Sequence, residues 1–365
     1  MIRTALRLSA ATAFAALFTL AANAQDRVVN VFNWSDYIDD SILADFTKET
    51  GIKVVYDVFD SNEILETKLL AGGSGYDIVV PTANFLSRQI QAGVFQKLDK
   101  SKLPNLTNMW DVVSDRTARY DPGNEYSINY MWGTVGLGYN VKKVKEALGV
   151  DAIDSWSVLF DPENAKKLAD CGIYVLDSPS DVLPTAMNYL GLDPDSKSPD
   201  DIAKAETAMM AIRPYIRKFH SSEYINALAN GDICMAVGWS GDVFQARDRA
   251  AEADQGVEVA YTVPKEGAEM WFDQMAIPAD APHVEEAHEF LNYIMKPEVI
   301  AKASNFVFYA NGNQASQQFI DKEIKEDPAV YPDEATLKKL FTVGAYDPKI
   351  QRIVTRTWTK ITTGQ

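Results

Sequence analysis

The chain has 365 residues, room for two domains of ordinary size, and a formal charge of −16. A charge of that sign repels nucleic acid and anionic lipid and excludes both as partners; it suits a cationic partner and serves equally well as a solubility device. The two cysteines, Cys171 and Cys234, are too far apart for a zinc knuckle, which leaves a disulfide or two buried thiols open.

The first segment, MIRTALRLSAATAFAALFTLAANAQ, carries Arg3 and Arg7, then an apolar run to Leu20, then Ala22-Asn23-Ala24. This is the pattern of a cleavable secretory signal over 1–24, with a mature chain from near Gln25. Loss of Arg3 and Arg7 takes the charge from −16 to −18. No Cys follows the cleavage site, so no lipid anchor is expected. The apolar run is too short to span a bilayer comfortably and no later segment is long and apolar enough. The expectation is export to a bacterial periplasm without membrane insertion.

Beyond the signal, strands and helices alternate. Residues 28–32 read as a strand, and Asp40 reads as the N-cap of a helix over 41–49 that Gly51 stops. A strand over 52–59, a helix over 62–70, a strand over 76–80 closed by Pro81, and a helix over 83–91 follow. That alternation predicts an α/β fold with a parallel or mixed sheet and helices on both faces. The stretch 105–124 has few periodic apolar residues. Residues 128–140 (INYMWGTVGLGYN) are extended and punctuated by Gly133, Gly136 and Gly138, which suits a crossing between domains. Helical patterns cover 141–148, 156–160, 182–190, 200–212 and 222–230, with a strand over 233–237. A second extended crossing runs over 257–264, then a strand over 270–277 and helices over 284–295, 297–304 and 334–341. Two crossings predict two lobes of discontinuous sequence, 25–133 plus 258–306 and 134–257 plus 307–365, able to close about a hinge.

No catalytic set announces itself. His283 and His288 are five apart, wrong for a zinc helix, and read as a solvated helix face. Gly238-Trp239-Ser240-Gly241 places its second glycine one residue early for a nucleophile elbow. The Gly72–Gly75 loop lacks the lysine of a phosphate loop, and 36–40 lacks calcium-loop spacing. No enzyme, metal or cofactor is expected. A recurrent pairing remains: Trp34 with Asp36, Trp239 with Asp242, Trp271 with Asp273, each at a predicted strand or its end. Ligands of open α/β sheets bind at strand ends. A ring face attracts an ammonium by ~0.5–2 kcal/mol, and a carboxylate adds roughly 1.5–3 kcal/mol by a charge-assisted hydrogen bond. Simple packing explains any single pair as well, as Trp110-Asp111 illustrates.

At NWSDY, VVYDVFDSNE, YDIVVPTANF, GYNV, FHSSEYINALANGDICMAVGWSGDVFQA and VFYAN, and over essentially the whole mature chain, the sequence resembles the periplasmic putrescine/spermidine-binding proteins of ABC polyamine importers. The resemblance implies a two-lobed α/β periplasmic binding protein fold, type II-like, a monomer with a polyamine between its lobes and an ABC permease as partner. It implies an aromatic box of Trp34, Tyr37, Trp239, Trp271 and Tyr309. Asp242 and Asp273 would hold one ammonium; Asp181 and Ser35 or Asp36 would serve the other end, with Thr82 and Ser221 as polar contacts. Asn84 and Phe85 would shape the distal end, and Cys171 and Cys234 would be bridged. The chain departs from the family in places. Asp181 stands where a glutamate is common, Ser35 is similar to the putrescine members, and Trp271 is similar to the spermidine members. The length of the polyamine therefore stays open, with agmatine or cadaverine as other candidate cations and an enzyme on the same fold as the remaining alternative.

Overall fold

The computed structural model describes residues 27–365, so the expected signal over 1–24 lies outside the described residues. Among the described residues ten strands occur in chain order: β1 Val28–Trp34, β2 Lys53–Phe59, β3 Ile78–Val79, β4 Ser127–Asn140, β5 Ile173–Val175, β6 Lys218–Phe219, β7 Met235–Trp239, β8 Val259–Thr262, β9 Met270–Ala276 and β10 Ala310–Asn311. They follow the spatial order β2-β1-β3-β9-β4-β7-β5-β6, with β8 and β10 also paired to β4. β1 is parallel to β2 and β3, and β5 is parallel to β6 and β7, as strand–helix alternation requires.

The two halves meet in β4, and every one of its residues is buried. Its positions 127–134 pair with β9 and β10, while 135–140 pair with β7 and β8. One strand thus belongs to both sheets, which makes it the crossing expected from its glycines. Those glycines have a packing reason. A Cβ on Gly133 would stand 2.6 Å from the Trp271 ring and 3.0 Å from Tyr309, and one on Gly136 would stand 2.5 Å from Tyr261. Aromatic rings lie on bare backbone there, and any side chain would displace them.

Strand pairing moves two of the expected lobe boundaries. β8 pairs with the second half through Leu137–Asn140 partners, so the next crossing lies after it, within 263–269, and not at 257–258. β10 pairs with Trp132 and Met131 in the first half, beyond the expected limit at 306. The chain then returns: the helix Pro348–Thr363 packs on Pro199–Ile212, with Thr357 donating to Glu206 at 2.9 Å and Arg213 to the Ile361 carbonyl at 2.8 Å. Periodicity marks an extended segment but not the neighbour it pairs with.

Three local readings are also corrected. Asp39, not Asp40, caps the first helix, its side chain accepting from the Ser41 N–H at 2.8 Å; Asp40 is the first helical residue. The helical pattern over 334–341 shrinks to Glu334–Leu337. His288 is buried, with Nε2 accepting from the Asp99 N–H at 2.9 Å, and the N–H of His283 donates to Asp77 at 2.6 Å. Both histidines join helix Val284–Ile294 to its neighbours and neither forms a solvated face. Cys171 and Cys234 are bridged, with Cα atoms 5.4 Å apart, at the start of β7. Among the described residues no helix is long and apolar enough to cross a membrane.

Candidate functional site

A cavity lies between the halves. Its walls come from strand ends. Trp34 closes β1, Trp239 closes β7, and Trp271 and Asp273 lie on β9, while Asp242 stands in the first turn of the helix Ser240–Ala253 that follows β7. The Trp34 indole is fixed by its Nε1–H donating to the Val80 carbonyl at 2.9 Å. Tyr309 stands edge-on to both Tyr37 and Trp271, with centroids 5.4 and 5.1 Å away.

Two carboxylates are each gripped by two hydroxyls. Asp273 accepts from Tyr37 Oη at 2.8 Å and from Thr82 Oγ1 at 2.8 Å. Asp242 accepts from Tyr224 Oη and from Tyr309 Oη, both at 2.7 Å. Each tyrosine of the second pair is oriented in turn by a backbone donor. The Trp239 N–H reaches Tyr224 Oη, and the Asp242 N–H reaches Tyr309 Oη, both at 3.1 Å. Thr82 is held reciprocally by Asn62, at 2.9 and 3.0 Å. The carboxylates are therefore positioned by neutral groups, with acceptor capacity left over; Arg249, whose charge also acts on Asp242, is paired with Asp36.

The electrostatics follow from that. Burial pushes the Asp273 carboxyl up to about 7, against the pull of its Thr82 and Tyr37 hydrogen bonds. Burial likewise raises Asp242 to about 6, against Tyr224 and Tyr309, and Asp181 to about 6, against donors from Ser178 and Trp239. Among the residues that line the cavity, five are aromatic, four are aspartates and none is Lys, Arg or His. Two polar atoms add to the demand for a ligand: Ser221 Oγ and Trp271 Nε1 are buried without a hydrogen-bond partner.

Of the expected residues, Trp34, Ser35, Tyr37, Thr82, Asn84, Asp181, Ser221, Trp239, Asp242, Trp271, Asp273 and Tyr309 are brought together around the cavity. Asp36 and Phe85 are not. Asp36 takes a left-handed backbone (φ 53°), which turns its carboxylate outward to Arg249 at 2.9 Å. Phe85 is buried under the Arg88 guanidinium, 3.8 Å from its ring centroid, and lines a neighbouring cavity. Asp60, Asn62, Ser180, Ser222 and Ile225 line the cavity as well and were not anticipated. Asp60 had the same signal as Trp34: it directly follows a strand, β2.

The sequence profile of bacterial extracellular solute-binding proteins matches residues 41–332. The chain is 52% identical to the putrescine-binding periplasmic protein PotF of Escherichia coli K12, over 95% of this chain and 94% of that one. It is 53% identical to the putrescine-binding periplasmic protein SpuD of Pseudomonas aeruginosa UCBPP-PA14, over 95% of each chain. Among solved structures it is similar to the spermidine/putrescine ABC transporter substrate-binding protein PotD of Streptococcus pneumoniae, with a TM-score of 0.75 at 30% identity, covering 93% of this chain and 99% of that one. A strand shared by two sheets, a cavity between them and these relatives agree: the chain belongs to the family of bacterial extracellular solute-binding proteins.

Proposed function

We propose that the protein captures a linear polyamine in the periplasm by closing its two lobes on it and delivers it to the permease of an ABC importer. The single observation that carries this reading is the lining of the cavity: four aspartates and five aromatic rings, with no basic side chain. An ammonium needs a carboxylate and further hydrogen bonds to offset dehydration of several kcal/mol per charge. Ring faces attract the ammonium groups and cover the methylenes between them. In this reading Asp242 and Asp273 hold one ammonium and Asp181 serves the other, with the five rings as walls. Lobe one comprises β1, β2, β3, β9 and the first part of β4; lobe two comprises β5 to β8 and the rest of β4. The protein acts as a monomer and carries out no chemistry on its ligand.

The ligand biases closure only by its differential affinity for the open and closed states. For a diamine of about six heavy atoms, the ceiling on ligand efficiency allows about −9 kcal/mol, or sub-micromolar binding at best. The test is calorimetric titration of protein stripped of ligand by unfolding and refolding, with putrescine, spermidine, cadaverine and agmatine. One-to-one binding of one or two of them supports the reading and ranks the cations. No heat from a folded sample with any of the four overturns it.

A further inference from the structure

A second cavity adjoins the first and shares Asp60 and Ser221 with it. We propose that this outer cavity is a second cation subsite, which receives the terminal ammonium of a linear polyamine too long for the inner cavity. The inference rests on the polyamine reading of the inner cavity and adds a place for the tail.

Its wall carries three carboxylates, Asp60, Glu63 and Asp177. One oxygen of Glu63 is shielded from solvent and has no hydrogen-bond partner, and burial raises that carboxyl to about 7. Ser221 Oγ, in the wall common to both cavities and nine-tenths buried, is likewise unpartnered. A chain threading from one cavity to the other passes this hydroxyl. Asp177 is fixed by the Trp358 indole N–H at 2.7 Å, and the Trp358 ring offers an apolar face for methylenes.

Nearby basic groups are already committed. His220 Nδ1 accepts from the backbone N–H groups of Ser222 and Glu223 at 3.1 and 3.2 Å, and its Nε2 lies 3.2 Å from Glu223 Oε1. Arg88, whose charge acts on Glu63, is gripped by both oxygens of Glu66 at 2.6 Å. Among the described residues no group of three His, Cys, Asp or Glu side chains is placed to share a metal ion. Carboxylates spread along a wall suit an extended organic cation better than a point charge.

The test compares putrescine with spermidine by calorimetry in the wild type, Glu63→Gln and Asp177→Asn. Neither residue touches the inner cavity, and Glu63→Gln leaves the Trp358 contact intact should Asp177→Asn destabilise the fold. The expected result is putrescine affinity within about twofold of wild type and spermidine affinity lower by about tenfold, the equivalent of one lost charge-assisted contact. Equal losses for both ligands would mean general electrostatic steering and would overturn the subsite. So would unchanged spermidine affinity, or a wild type that binds putrescine but not spermidine. A wild type that binds neither would instead take down the polyamine reading itself.

Discussion

The indole of Trp34, at the end of β1, meets the indole of Trp239, at the end of β7, edge to face, with centroids 5.7 Å apart and planes at 70°. The two rings belong to opposite halves, so the structure is closed over its cavity. Two residues beyond Trp34, Asp36 reaches Arg249 on the helix Ser240–Ala253 of the other half at 2.9 Å. The pair sits at the rim and both partners are over a third exposed. An exposed pair contributes roughly 0.2–1 kcal/mol. Asp36→Asn keeps a residue that tolerates the left-handed backbone and removes only the charge. The expected outcome is ligand dissociation about two- to fivefold faster with thermal stability unchanged, read by stopped-flow tryptophan fluorescence. An unaltered off-rate would mean that the pair does not hold the closed state.

Asp242 makes a sharper case because it faces the cavity from a buried position. Asp242→Asn preserves volume and removes the charge. Leaving a buried ammonium without its partner costs about 3–5 kcal/mol, so affinity for a diamine falls by about a hundredfold or more. Calorimetric titration of the folded variant measures it. Wild-type affinity in this variant would exclude Asp242 from the site.

The rings and carboxylates were legible because they sit where a hydrophobic run stops, and strand ends in an α/β sheet open onto the ligand side. Trp34, Trp239 and Asp242 follow from that rule alone. The rule says nothing about where a loop turns next. Asp36 is two residues from Trp34 in sequence, yet its left-handed backbone sends it outside. Neighbours on one helix diverge similarly: Asn84 faces the inner cavity and Phe85 turns into the protein. Asp60 directly follows β2, near the strand end as Trp34 is at that of β1, and was readable by the same logic. The support of the carboxylates was not readable. Tyr224 reaches Asp242 from eighteen positions away, and Tyr37 reaches Asp273 from the other end of the fold. The first crossing was visible as an extended, glycine-punctuated segment, but the partners of β8 and β10 depend on register, which one chain read by itself does not specify.

The disulfide Cys171–Cys234 closes a sequence separation of 63 residues within the second half, away from the cavity. Tethering a loop of that length removes denatured-state entropy worth about 4 kcal/mol. The paired replacement Cys171→Ser with Cys234→Ser therefore lowers unfolding free energy by several kcal/mol while diamine affinity stays within about twofold of wild type. Urea unfolding and calorimetric titration report the two quantities separately. A loss of affinity without a loss of stability would contradict a purely structural role for the bridge.

The pH dependence of binding has a sign that the buried aspartates dictate. Asp181 and Asp242 titrate at about 6 and Asp273 at about 7, all raised chiefly by burial from an ordinary value of 3.8. Between those limits the folded, ligand-free protein holds protons that the unfolded chain has lost. The contribution of these three groups to stability is therefore fully present below about pH 4 and is lost as pH rises through about 6 to 7. A bound ammonium reverses the preference, because it stabilises the ionised carboxylates and expels their protons. Aliphatic amines stay charged throughout this range, having pKa values near ~10. Diamine affinity should thus strengthen by at least about tenfold between about pH 5.5 and pH 7.5 and level off above, with protons released on binding. Titrations in buffers of different ionisation enthalpy count those protons. The gain in melting temperature on adding ligand should also be larger at the higher pH. Proton uptake on binding, or an affinity that falls across this window, would show that these aspartates do not meet the ligand as carboxylates.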